Sequence, residues 1–312
     1  MKNFSIVFLL LILFLIPAQI QAQKTPKPFF DPTTGGQVRI QTMELDALAD
    51  TIAVVYHRAD DVVWHRTVYR IIDMRDKQNY RLYFPLRPDN PYYRNLFKVI
   101  LDGVCEGGLT PYQRGRELTP KYDEVLEPAD LRANTTLPKD RDTDPNAYLI
   151  EVDAVGSPYI NTDVFAEYSK DLLKYVIQEV VFFNKHTSRM YSKIVGIAPL
   201  YSAHPDKANI NTGAQSLQFS ILFWVRFDEL RPYLARQYVI PNGNEAQRLT
   251  FDEFFAQKLY AHYLLGDNNV YTRMLLDYEK AVDEEIYEAF IKKEQQRIET
   301  EMLNFEQDLW EY

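Results

Sequence analysis

Carboxylates at alternating positions are the sharpest chemical pattern in this sequence. "DRDTDPNAYLIE" sets Asp140, Asp142, Asp144, Asn146 and Glu151 at positions 1, 3, 5, 7 and 12 of a twelve-residue window. That is the oxygen-donor spacing of an EF-hand calcium loop. Position 6 is Pro145, where such a loop turns on glycine. Tyr148 to Val152 reads as a strand, not as the helix that should follow. A solvated acidic loop is the plainer reading beside calcium.

Acid–base and nucleophilic chemistry find less support. His57, His65, His186, His204 and His262 are scattered, with no HExxH spacing for zinc. Neither GxSxG nor GxxxxGK[ST] occurs. With only 11 glycines the chain is a poor match to a glycine-looped nucleotide binder. Asp73 and Asp76 near His65 form the one acid–base set, in a charged stretch where ion pairing is the simpler account. No cofactor is expected.

A different stretch carries the residue types of a binding surface. "DVVWHRTVYRIIDMRDKQNYRLYFPL" (61–86) interleaves Trp64, Tyr69, Tyr80, Tyr83 and Phe84 with Arg66, Arg70, Arg75 and Arg81. Tyr, Trp and Arg are enriched in binding hot spots. The interface candidates are Trp64, Arg66, Tyr69, Arg70, Arg75, Arg81 and Tyr83, with the apolar patch Phe29 and Phe30 upstream. An amphipathic element with one solvated charged side is the competing account.

The elements that must position these residues follow from periodicity. Trp64, Val68, Ile71 and Ile72 fall at i, i+4, i+7 and i+8, which predicts a helix to about Asn79. Arg70–Asp73 and Asp73–Lys77 then sit at helical pairing distance. "RLYFPL" reads as extended. "YYRNLFKVILDGVCEGGLTPY" predicts a helix stopped by Gly107-Gly108, and "LTPKYDEVLEPADLRA" a short polar helix. "YLIEVDAV", "LLKYVIQEVVFF", "SRMYSKIVGIAPLYS" and "SLQFSILFWVRF" read as strands, with a hairpin turn at "NKHTS". A helix from Asp163 to about Leu173 leads into the second of them. "DELRPYLARQY" and "TFDEFFAQKLYAHYLL" read as helices, the latter capped by Thr250 with Glu253 three positions on. The fold class is α+β: an antiparallel sheet of three to four strands, with one clear hairpin, flanked by helices. An extended N-terminal arm and a long C-terminal helix complete it.

The ends differ in character from the body. Residues 1–22, with Lys2, the apolar run Ile6–Ile16, Pro17 and Ala22, read as a secretory signal peptide. The apolar run is too short to span a bilayer, and no later stretch is long enough, so no direct membrane insertion is expected. Residues 23–55 form a Pro-rich arm, 56–275 the α+β body and 276–312 an acidic helix or tail. Cys105 has no internal partner and reads as a buried thiol. The net charge is −9, and Asp277–Tyr312 holds 12 acidic against 4 basic residues. That sign excludes a nucleic-acid partner.

Taken together in order, "DVVWHRTVYRIIDMRDKQNYRLYFPL", "LFKVILDGVCEGGLTPY", "VIQEVVFFNKHTSRMYSKIVGIAPLY" and "LTFDEFFAQKLYAHYL" resemble the GldN/PorN family. The resemblance implies a periplasmic, non-enzymatic structural subunit of the type IX secretion and gliding-motility machinery. It implies self-association in a ring with an outer-membrane lipoprotein of the GldK/PorK type. It also implies contact with a motor subunit of the GldM/PorM type, and a place at the inner face of the outer membrane. It carries over no catalytic residue. An exported calcium- or ligand-binding module and an enzyme with an unrecognised site are the alternatives.

Overall fold

A computed structural model describes residues 51–308, apart from 56, 88–92, 116–118, 136–147, 204–217, 242–247 and 268–283. Phe29, Phe30, Asp140, Asp142, Asp144 and Asn146 lie outside the described residues. So does the Val282, Ile286 and Phe290 stripe, apart from the helical backbone of its last two members.

The main sheet is antiparallel throughout. It joins β10 (Tyr263–Asp267), β1 (Val62–Asp73), β6 (Lys174–Asn184), β7 (Arg189–Ala203) and β8 (Gln218–Ile221) in that order. β9 (Val225–Arg226) also pairs with β7. Two small hairpins stand apart: β2 (Tyr112–Arg114) with β3 (Pro120–Val125), and β4 (Ile150–Val152) with β5 (Pro158–Ile160). The helices are α1 (Tyr80–Tyr83), α2 (Leu96–Cys105), α3 (Pro128–Asn134), α4 (Thr162–Asp171), α5 (Phe227–Ala235), α6 (Phe251–Ala256) and α7 (Glu284–Asp308).

β6 is the central strand. It pairs along its length with β1 on one side and β7 on the other. Sheet alternation sends neighbouring residues to opposite layers. Tyr175 and Ile177 join Phe97, Phe165 and Tyr168 in the larger core, under α2 and α4. Val176 joins Tyr69, Ile71 and Trp224 on the other face. Between them a bulge shifts the β6–β7 register at Gln178 and Glu179. Gly196 lies opposite Gln178, and a Cβ there would collide with the Tyr122 hydroxyl. That hydroxyl donates to Gln178 Oε1 at 2.8 Å, and Gln178 Nε2 donates to the Tyr69 hydroxyl at 3.2 Å.

The α+β class holds, and several predicted elements stand. The β6–β7 turn is held by Asn184 Oδ1, which accepts from the His186 and Thr187 amides. α2 is capped by Asn95, whose side chain accepts from the Lys98 amide, and Gly107 turns the chain after it at φ 75°. Thr250 and Glu253 form the expected reciprocal cap of α6.

Other elements differ, for identifiable reasons. Residues 62–73 are a strand, not a helix. Trp64, Val68 and Ile72 share a face at period two as well as at helical spacing, and Tyr69 and Ile71 fill the other face. A strand covered on both sides mimics helical periodicity. Asp73 accordingly pairs with Arg75 and Lys174, not with Arg70 or Lys77. "RLYFPL" opens with the single turn α1, so its start is not extended. "LTPKYDEVLEPADLRA" splits into β3 and α3, the helix beginning at Pro128, where the ring's fixed φ favours helix entry. "YLIEVDAV" belongs to the β4–β5 hairpin, outside the main sheet. α6 ends at Ala256, and Lys258 at φ 52° turns the chain toward β10. β1 and β10, both read as helix, thus enlarge the sheet to six strands.

Candidate functional site

β1 carries most of the aromatic and arginine residues singled out in the sequence. Their side chains are engaged within the chain. Arg66 Nε donates to Asp267 Oδ2 on β10 at 2.9 Å, and Arg66 Nη1 to Glu301 Oε2 on α7 at 3.2 Å. Trp64 stacks on Phe305 of α7 with ring centroids 4.5 Å apart. Ile298 of α7 is buried with Val68 and Leu264. These contacts seat the acidic C-terminal helix on the sheet. Tyr69 is buried in the core beside Trp224. Tyr83 donates to the Lys170 carbonyl at 3.1 Å, and Arg81 is half-buried on α1. Arg75 is 65% exposed although it grips Asp73 through Nε at 2.9 Å. Burial alone would raise the Asp73 carboxyl, and Arg75 outweighs it, so its pKa lies below the ordinary value.

Arg70 belongs to a buried cluster at the sheet's centre. Its Nε donates to Glu179 Oε2 at 2.8 Å, and Lys258 Nζ reaches Glu179 Oε1 at 2.5 Å. The Glu179 side chain is only 1% exposed. Burial pushes its pKa up, and Lys258 and Arg70 together push it further down, leaving it below the ordinary 4.5. The group is therefore a carboxylate flanked by two cations, a satisfied structural cluster.

The acid–base set does not converge. His65 and Asp73 lie on one strand eight residues apart, roughly 26 Å at strand rise. Glu151, the described member of the calcium pattern, accepts from the Tyr159 hydroxyl at 2.8 Å and from Asn161 Nδ2 at 3.2 Å. Among the described residues, no group of three or more His, Cys, Asp or Glu is placed to hold a metal. Cys105 is half-buried, and burial lifts its thiol to about 11, which leaves little reactive thiolate at neutral pH.

A concave site lies elsewhere. An open groove of about 660 Å³ runs between the β6–β7 hairpin and helices α5 and α6. Phe182, Tyr191, Ile194, Phe227 and Phe255 give it apolar walls. Its remaining wall is the extended segment 51–55. That segment is fixed at both ends. The Ile52 amide donates to Asp252 Oδ2 at 2.8 Å, and the Ile52 carbonyl accepts from Arg231 Nη2. Arg231 also donates to Asp252 Oδ1 at 2.8 Å, and Asp252 is 2% exposed. At the other end His57 packs on Tyr191 at 4.3 Å and on Phe182 at 5.0 Å. Asn184 Nδ2 lies 3.0 Å from His57 Nδ1. Sequence reading missed Arg231 and Asp252 because they meet only through the packing of two helices. The one visible signal was Asp252 in the first turn of a capped helix.

An α+β scaffold with internally satisfied charges and an open apolar groove has the build of a protein that works through binding. Residues 57–311 match the family described as gliding motility associated protein GldN, and the chain belongs to that family. No curated protein matches it. The family's description names motility and no reaction.

Proposed function

We propose that the chain is a periplasmic, non-catalytic structural subunit of the type IX secretion and gliding apparatus. In this reading it forms a ring with an outer-membrane lipoprotein of the GldK/PorK type, at the inner face of the outer membrane. It also contacts a motor subunit of the GldM/PorM type. The observation that carries the reading is the family match over residues 57–311. The leader-like residues 1–22 support export, and the engaged charges of β1 fit a scaffold better than a catalyst.

Placement of the arginines changes which residues should be probed. Arg66 and Arg70 are less than one-fifth exposed and hold buried carboxylates, so charge reversal there would unfold the domain. Tyr80 and Phe84 are 46% and 42% exposed, pack edge to face, and neighbour Arg81 and Tyr83. That aromatic shelf is the part of the sequence-derived surface open to a partner. The test is co-expression with the lipoprotein in the periplasm, followed by light scattering and negative-stain microscopy. Large regular rings that Phe84→Glu abolishes, with an unchanged melting temperature, are expected. A monomer that ignores the lipoprotein would overturn the reading.

A further inference from the structure

The segment that walls the groove is tied at Ile52 and at His57 and slack in hydrogen bonding between them. Within the described chain, no main-chain group of Ala53, Val54 or Val55 is hydrogen-bonded. Their backbone is extended and solvent-facing, with Val54 57% and Val55 65% exposed. Such a stretch is a free strand edge, a template for another strand. Apolar groups face the same space from both sides: Ile52, Val54 and Val55 from the segment, Phe182, Tyr191 and Ile194 from the hairpin. Isolated exposed valines need no explanation, but apolar walls around one groove point to an apolar occupant.

The charges define that occupant further. Arg231 and Asp252 neutralise each other below the segment. Lys193, Lys258 and Asp228 are the charged groups at the mouth, 45%, 43% and 61% exposed. The mouth is therefore net positive on a chain whose formal charge is −9. The Ile52 clamp already shows how the groove holds an extended backbone, with one donor and one acceptor on a single residue.

We propose that the groove is a strand-acceptor site. It takes an extended segment of a partner protein, apolar on one face and acidic on the other, hydrogen-bonded to the free edge at Ala53–Val55. Main-chain bonds supply the grip and the apolar walls set which side chains enter, as in other strand-addition modes. This site stands on the groove's own geometry and does not depend on the ring assignment.

The test uses the chain purified from the periplasm and a labelled, capped octapeptide of alternating valine and glutamate, read by fluorescence anisotropy. Saturable binding is expected. It should weaken at least tenfold with a valine–lysine peptide or with one N-methylated along one edge. Val54→Pro, which removes an edge N–H, and Ala256→Trp, which fills the groove, should weaken it as much without shifting the melting temperature. No saturable binding, or binding that survives both substitutions, would overturn the proposal. A mass that doubles with concentration and reverts with Ala256→Trp would give the groove to a second copy instead. Binding that appears only after cleavage before Thr51 would give it to the chain's own arm. Either result overturns the partner assignment.

Discussion

Two buried carboxylates sit a short way apart in the fold and do different work. Glu179 and Asp252 are 1% and 2% exposed, and each accepts from an arginine. Glu179 completes its set with a second side-chain cation, Lys258. Asp252 completes its set with a main-chain amide, that of Ile52. The first arrangement locks three elements of the core together. The second leaves the core alone and holds a segment of backbone across a groove. A buried acid paired to two side chains is a strut, and one paired to a side chain and a backbone amide is a handle.

Breaking the strut should have the larger effect. Arg70→Ala leaves Glu179 with one counter-charge, and a loss of about 3 kcal/mol of global stability is expected in guanidinium unfolding. A loss near zero would mean Glu179 is not held as a buried carboxylate. Asp252→Asn should cost less, about 2 kcal/mol, since it weakens charge-assisted hydrogen bonds and leaves neutral ones. Its signature should be local: faster hydrogen exchange at the Ile52 amide and earlier proteolysis of the 51–55 segment. If both substitutions lower stability equally and uniformly, the distinction between strut and handle fails. Phe305→Ala removes the stacking partner of Trp64 and should cost about 1 kcal/mol. That change should be confined to α7 and read as a red shift of Trp64 emission.

Acid titration sharpens the same contrast. Glu179 has its folded pKa below the ordinary 4.5. A depressed carboxylate stabilises the fold fully above its unfolded pKa and stops doing so as pH falls through the folded value. Stability should therefore drop as pH goes below 4.5. Arg70→Ala should flatten that limb, because it removes one of the cations that depress the pKa. An unchanged acid limb in the variant would assign the pH dependence to other groups.

What could be read from the sequence tracks how local each interaction is. The β6–β7 hairpin, the Thr250 cap and the Asn-capped helix α2 depend on residues within a few positions, and their patterns are unambiguous. β1 is legible as apolar but not as a strand, because both of its faces are covered and its period is mixed. Its arginines read as a solvated face. Their partners lie 109 and 201 residues away, beyond any spacing rule. The end of α6 was missed because Lys258, not glycine, takes the left-handed turn. The groove was invisible for the same reason as β1's partners. Its clamp joins residues 52, 231 and 252, and its free edge follows from an absence of pairing that sequence does not record.

The position of Glu179 along the chain also sets an order of events during folding. One of its cations comes from residue 70, before it, and the other from residue 258, after it. Until residue 258 is present, the central strand carries a carboxylate only half compensated. Closing the loop from 179 to 258 is a slow, entropically costly step of the high-contact-order kind. The N-terminal strands alone should therefore form a loose sheet, which tightens when the turn at Lys258 delivers its ammonium together with β10.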